Sequence, residues 1–118
     1  MLPTSHYGYV ATGTDGNETL RANRAAFRRI YLRAMRMTDT STIDTTLDVL
    51  GEKLSSPIVI APAGSQRAFH PDGELATARA ARTRDHLQIL SNVSTHSVEE
   101  VIRERGAPVW MQLYPTSR

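Results

Sequence analysis

Ser55-Ser56-Pro57-Ile58-Val59-Ile60-Ala61-Pro62-Ala63-Gly64-Ser65-Gln66 is followed at once by His70-Pro71-Asp72-Gly73-Glu74-Leu75-Ala76-Thr77-Ala78-Arg79-Ala80-Ala81. A short, wholly apolar run, Ile58 to Ala61, stops at a proline and two small residues. An alanine-rich helical pattern then begins at Asp72. A buried parallel strand that ends at a ligand-binding loop and crosses over through a helix reads this way. Small residues just past such a strand let a flat ring lie close against the backbone.

The alternation continues downstream. Asp72 to Arg84 reads as a helix, and its Ala76, Ala80 and Ala78, Ala81 pairs allow close packing. Leu87 to Ser91 reads as a second strand. Ser97 and Glu100 are spaced as a capping box for the next helix, which Gly106 and Pro108 end. Val109 to Tyr114 reads as a third strand. Trp110, Gln112 and Tyr114 share one face of it, and Val109, Met111 and Leu113 the other. The wholly apolar face is expected against helices, and the face bearing an amide and a phenol toward an interior. Strands alternating with helices imply an α/β fold with a parallel sheet. Three strands alone leave open sheet edges.

Upstream, residues 3–12 read as a short helix carrying Tyr7 and Tyr9, broken at Gly13 to Gly16. Asp15 with Glu18 is spaced as a capping box. From Glu18 to Ile30, Leu20, Phe27 and Ile30 fall on one helical face. Residues 31–43 show no clear period. Thr46 to Leu50 and Lys53-Leu54 flank Gly51-Glu52, which reads as the turn of a β-hairpin.

Composition narrows the classes. The chain has 118 residues and a net charge of +2, which implies no particular partner. It is too short for a complete (β/α)8 barrel of about 250 residues. There are no cysteines, which excludes disulfides and thiolate metal sites. No apolar run approaches the roughly 18 residues of a membrane span. No charged-then-apolar signal pattern opens the chain, so a cytoplasmic location is the expectation. Arg21, Arg24, Arg28, Arg29, Arg33 and Arg36 crowd one segment. A solvated helix face accounts for them. A phosphate or nucleic-acid patch would look similar, but no interleaved aromatics support it. His6, His70, His86 and His96 form no metal-type pair.

In parallel barrels, sites form at the C-terminal ends of strands. That rule selects Pro62-Ala63-Gly64, Ser91, and Gln112 with Tyr114. Each has a plainer reading. The first is a strand-terminating turn, Ser91 is a turn cap, and Gln112 and Tyr114 bond neighbouring backbone.

In order and spacing these segments resemble the FMN-dependent 2-hydroxy-acid oxidases and dehydrogenases, the glycolate oxidase and lactate oxidase group. Leu2-Pro3 through Tyr7-Gly8-Tyr9 and Gly13, Thr19-Leu20 with Asn23-Arg24, the Pro62-Ala63-Gly64 stretch, Leu90-Ser91 with Ser97 to Val101, and Trp110 to Tyr114 all match it. The resemblance implies the N-terminal part of a (β/α)8 TIM barrel, incomplete. Residues 1–43 would be a helical lead-in, 44–56 a hairpin closing the barrel bottom, and 57–118 the first three barrel strands. It implies FMN as cofactor, contacted by Pro62, Ala63, Gly64, Ser91 and Gln112. It implies a small 2-hydroxy acid as substrate, contacted by Tyr9 and Tyr114. Gly64 stands where the family has alanine or glycine near the flavin's reactive edge, where space affects access for oxygen. Val93 replaces an aromatic that borders the substrate in some members.

The implied reaction is oxidation of an L-2-hydroxy acid, lactate- or glycolate-like, to a 2-oxo acid. A histidine takes the hydroxyl proton while hydride passes to the flavin; a carbanion route is the alternative. The catalytic base, its arginine neighbour, the lysine near the flavin and the phosphate-binding arginine belong to later strands. No catalytic residue is therefore expected in this chain, and the base is expected beyond Arg118. Lys53, the only lysine, lies in the hairpin and does not match. Relatives are often homo-oligomers. The other reading is a truncated, inactive barrel fragment or an interaction module.

Overall fold

A computed structural model describes residues 2–115. The chain forms two compact units, Met1–Ile43 and Asp44–Arg118. Residues 116–118 of the third expected segment lie outside the described residues.

In the first unit, helix α1 spans Thr4–Ala11 and α2 spans Glu18–Phe27. Pro3 stands at the N-cap of α1, where its missing N–H is no loss. The expected Asp15/Glu18 capping box does not form. Asn17 holds the N-cap position of α2 in a left-handed conformation, and its side chain instead accepts the Gly13 amide at 2.6 Å. The side-chain acceptor is used by the preceding loop, so the helix start takes no side-chain cap. The expected stripe of Leu20, Phe27 and Ile30 also fails. The helix stops at Phe27, Phe27 is 81% exposed, and Ile30 lies exposed beyond the end. Residues 30–46 adopt no helix or strand.

The second unit begins with the hairpin β1 (Leu47–Val49) and β2 (Glu52–Leu54), antiparallel with Val49 opposite Glu52. The turn is Leu50-Gly51, one residue earlier than expected. Both have positive φ, +52° and +84°. That is the mirror-image turn whose twist suits a two-residue hairpin.

Three parallel strands follow in the order β3 (Val59–Ile60), β4 (Leu87–Ser91), β5 (Trp110–Gln112). β4 is central, apolar and has the bounds its sequence suggests. β3 is shorter than Ile58 to Ala61, because the Ile58 amide is taken by the Ser56 hydroxyl at 3.3 Å instead of the ladder. β5 is shorter than Val109 to Tyr114. Its one partner, β4, ends at Ser91, level with Gln112.

Helix α3 (Gly73–Arg84) connects β3 to β4, and α4 (Val98–Arg105) connects β4 to β5. Ala78 of α3, Leu90 of β4 and Val101 of α4 form the buried core, with Leu75, Val98 and Val109 packed against it. Ala78 and Ala81 are fully buried and let α3 approach closely, whereas Ala80 is exposed. The apolar face of β5 is only partly covered. Val109 packs on the core, but Met111 and Leu113 are exposed, because no helix among the described residues follows β5.

The α4 capping box forms as its spacing predicts. Ser97 Oγ accepts the Glu100 amide at 3.2 Å and Glu100 Oε2 accepts the Ser97 amide at 2.9 Å. Gly106 closes the helix at φ +76°, donating to Ile102 O at 2.8 Å. Arg105 ties this end to the sheet, donating to the carbonyls of His86 and Pro108. The hairpin reaches the same sheet edge. Trp110 Nε1 donates to Glu52 at 3.2 Å, and Ser55 Oγ donates to Asp85 O at 2.7 Å.

Candidate functional site

Because β3, β4 and β5 run parallel, their C-terminal ends lie along one edge of the sheet. Ser91 and Gln112 are register partners there. Side chains alternate along β4. Leu90 enters the helix-packed core, so Ser91 faces the other way, and its partner Gln112 faces with it. Ser91 is buried and its hydroxyl oxygen accepts the Val93 amide at 3.3 Å, as a turn cap does. Gln112 is half-buried. No side-chain hydrogen bond joins Gln112 or Tyr114 to other described residues. The Gln112 amide therefore retains a donor and an acceptor for a further group.

The loop after β3 lies against the loop after β4. A Cβ built on Gly64 would fall 2.4 Å from Val93 Cγ2 and 3.4 Å from Ser91 Oγ. The space that glycine leaves open is thus taken by the Val93 side chain. Ser65, at φ +53°, donates its amide to Val93 O at 3.0 Å. Gln66 opens a single 3-10 turn, Gln66–Ala68. Its Nε2 donates to Ala63 O at 3.0 Å, and its Oε1 accepts from Thr77 Oγ1 of α3 at 2.6 Å. Within Pro62 to Gly64, Ala63 O is thus held by a side chain rather than by a ladder hydrogen bond.

One carboxylate joins the two loops. Glu74, in the first turn of α3, is completely buried. Its Oε1 accepts the amides of Gln66 at 3.2 Å and Thr95 at 3.0 Å. Its Oε2 accepts from Thr95 Oγ1 at 2.5 Å and pairs with His96 Nδ1 at 2.9 Å. Burial works against ionisation, but the donors of Thr95 and His96 overcome it and bring the Glu74 pKa down to about 2. Gly73 makes the packing possible. It sits at φ +46°, and a Cβ there would lie 2.6 Å from Arg67 Cγ and 3.2 Å from His96 Cε1. Sequence reasoning missed Glu74. An acidic residue in a first helical turn reads as a complement to the helix dipole, and its partners lie 8, 21 and 22 positions away.

Tyr114 follows β5 and is 54% exposed. Tyr9 belongs to the first unit, on α1, and is 81% exposed. His86 precedes β4, at the opposite edge from Ser91, with its Nδ1 3.1 Å from Ser56 Oγ. His70 Nδ1 accepts the Asp72 amide at 3.2 Å. His96 is held by Glu74. Gln88 Oε1 is buried without a hydrogen-bond partner among the described residues, but on the Leu90 side of β4, away from Ser91. Among the described residues no group of three or more His, Asp or Glu is arranged to hold a metal ion. No helix among them is long and apolar enough to cross a membrane.

The edge therefore offers loop backbone and a Gln112 amide with no side-chain hydrogen bond to other described residues, with the Ser91 hydroxyl buried beside Gly64, a set suited to the rim of a planar group with alternating donors and acceptors. Comparisons with known proteins bear on which group. The sequence profile of the family described as FMN-dependent dehydrogenase matches residues 1–118. Glycolate oxidase 1 of Zea mays is 46% identical over 113 residues, covering 96% of this chain and 31% of that protein. A mandelate oxidase structure with (S)-4-hydroxymandelic acid superposes with a TM-score of 0.87 at 36% identity, over 96% of this chain and 32% of that one. A mandelate oxidase variant with a C4a-hydroxy-FMN adduct gives 0.86 at 35% identity, over 96% and 34%. The chain thus spans about a third of the length of the relatives it matches.

Proposed function

The chain belongs to the FMN-dependent dehydrogenase family, whose cofactor is FMN, and from that premise we propose that it forms the flavin-facing first arc of a (β/α)8 barrel. The enzyme so formed would oxidise a small L-2-hydroxy acid, glycolate- or lactate-like, to the 2-oxo acid. The observation that carries the reading is the pairing of Ser91 with Gln112 on one face and one edge of the sheet, with Gly64 against Ser91. When bound, FMN supplies the two-electron acceptor for the oxidation.

The chain's own residues would bind and orient. Gln112 would present its amide to the pyrimidine edge of the ring, where carbonyl and N–H groups alternate. Ser91 would present its hydroxyl beside it, and the backbone of Pro62, Ala63 and Gly64 would lie along the ring. Tyr114 and Tyr9 would contact substrate, Tyr114 near the reacting carbon and Tyr9 at the carboxylate. Proton abstraction needs a base within reach of the hydroxyl. His70, His86 and His96 are each held by other partners, and His86 lies at the opposite sheet edge. By family resemblance, the base would come from a later strand of the barrel. The second reading, a catalytically silent fragment or interaction module, is favoured by the engagement of His70, His86 and His96 with other partners.

Expression of the full open reading frame that contains residues 1–118 separates the two. The enzyme reading expects a yellow protein whose visible flavin band bleaches anaerobically with glycolate or L-lactate. A folded, colourless product overturns it.

A further inference from the structure

Glu74 is the most heavily engaged buried charge among the described residues, yet it faces no ligand edge. All its hydrogen bonds go to the loops that follow β3 and β4. Oε1 takes one amide from each, Gln66 and Thr95. Oε2 takes the hydroxyl of Thr95 and His96 Nδ1. Thr95 Oγ1 also accepts the Arg67 amide at 3.3 Å, closing the circuit between the loops. From Gln66 the connection runs on through its Nε2 to Ala63 O, and from Thr77 back to α3.

We propose that Glu74 is a positioning residue that sets the spacing between the Pro62–Gly64 backbone and the Ser91 end of β4. It does so by bridging the Gln66 and Thr95 amides with one carboxylate oxygen. The inference rests on the FMN reading above and deepens it, since these are the two segments that would flank the ring. Part-buried amides left without an acceptor are costly, so loss of the bridge lets the loops separate toward water. An amide at position 74 keeps the bridge. Its oxygen can accept from both backbone N–H groups, while its NH2 donates to Thr95 Oγ1 and faces His96 Nδ1.

The test uses the full open reading frame and two readouts: affinity for added FMN by flavin fluorescence quenching, and amide hydrogen exchange at Gln66 and Thr95. Three variants are compared with the wild type. Glu74→Met keeps the volume and removes both acceptors. Glu74→Gln restores the bridging oxygen. Val101→Ala destabilises the core away from both loops. The expected result is a tenfold or greater loss of FMN affinity in Glu74→Met, with at least tenfold faster exchange at Gln66 and Thr95. Glu74→Gln and Val101→Ala should stay within about threefold of wild type. Equal losses in Glu74→Met and Val101→Ala, or no loss in either, overturn the proposal. If Glu74→Met does not fold, Thr95→Val removes one donor to Glu74 and should weaken FMN by more than threefold; affinity within threefold of wild type there overturns the proposal. A wild type that binds no FMN overturns the flavin reading instead. The exchange rates then decide the positioning role alone, which survives only if Glu74→Met speeds them.

Discussion

Two stretches of this protein lack regular structure and are otherwise opposites. Residues 61–72, after β3, contain one 3-10 turn, yet they are held by Gln66, Thr77, Glu74 and the Val93 carbonyl. Residues 30–46 carry Ile30, Tyr31, Leu32, Met35, Met37 and Ile43, all exposed, with Leu32 at 99%. Apart from Thr45 Oγ1, which donates to Ser55 O at 3.1 Å, the side-chain hydrogen bonds described for them are local. Asp39 accepts the Ser41 amide at 2.9 Å and Asp44 the Thr46 amide at 2.9 Å, and these bonds lower both carboxyl pKa values. Irregular backbone is fixed when distant side chains meet its N–H and C=O groups, and only locally shaped when neighbours do.

The sharpest way to break this contrast is acid. Glu74 has a folded pKa of about 2 against an ordinary 4.5. A depressed carboxyl pKa contributes stability that is complete above the unfolded value and lost as pH falls through the folded one. The window is therefore from 4.5 down to about 2, and the loss is on the order of 3 kcal/mol. Urea unfolding of the full open reading frame, followed at several pH values, should show wild type losing that much more than Glu74→Gln across the window. Parallel curves would mean that the carboxylate is no more engaged than Asp39 or Asp44.

A smaller effect comes from Gly73→Ala. The left-handed φ of +46° and the approach of Arg67 Cγ to within 2.6 Å of a new Cβ should cost about 1–2 kcal/mol. The urea midpoint reads it. A neutral result would show that the helix start yields and that the loops are looser than their hydrogen bonds indicate.

The smallest is Leu32→Ser in the 118-residue chain. With the side chain almost wholly in water, the unfolding free energy from urea titration should change by less than about 0.5 kcal/mol. The same substitution in the full open reading frame sharpens the comparison. A loss of about 2 kcal/mol there would show that residues outside this chain bury the segment.

Much of the second unit was legible because its signals are local. The five-residue run Leu87 to Ser91, with three Leu and Ile residues and bounded by Asp85-His86 and Asn92, has the length and bounding signals of a buried strand. The Ser97/Glu100 box depends on spacing alone. The ends of β3 and β5 were not legible, because an edge strand is as long as its partner allows and Ile58 gives its amide to Ser56. The stripe from Leu20 to Ile30 was misread because periodicity shows where a helix can bury a face, not whether a partner is there to cover it. The strand-end candidates were reached by topology. A parallel alternation sends every strand's C-terminus to one edge before any coordinate is known.

The sequence by itself determined the strand and helix order, the caps of α4 and the edge on which Ala63, Ser91 and Gln112 lie, since each depends on residues within a few positions or on chain direction. Only the tertiary structure decided that Glu74 is a buried bridge rather than a helix-dipole partner, and that Val93 fills the space at Gly64. Those facts depend on groups 21 to 29 positions apart meeting at one point. The free energy of such a meeting resides in desolvation and hydrogen-bond geometry that no local pattern encodes.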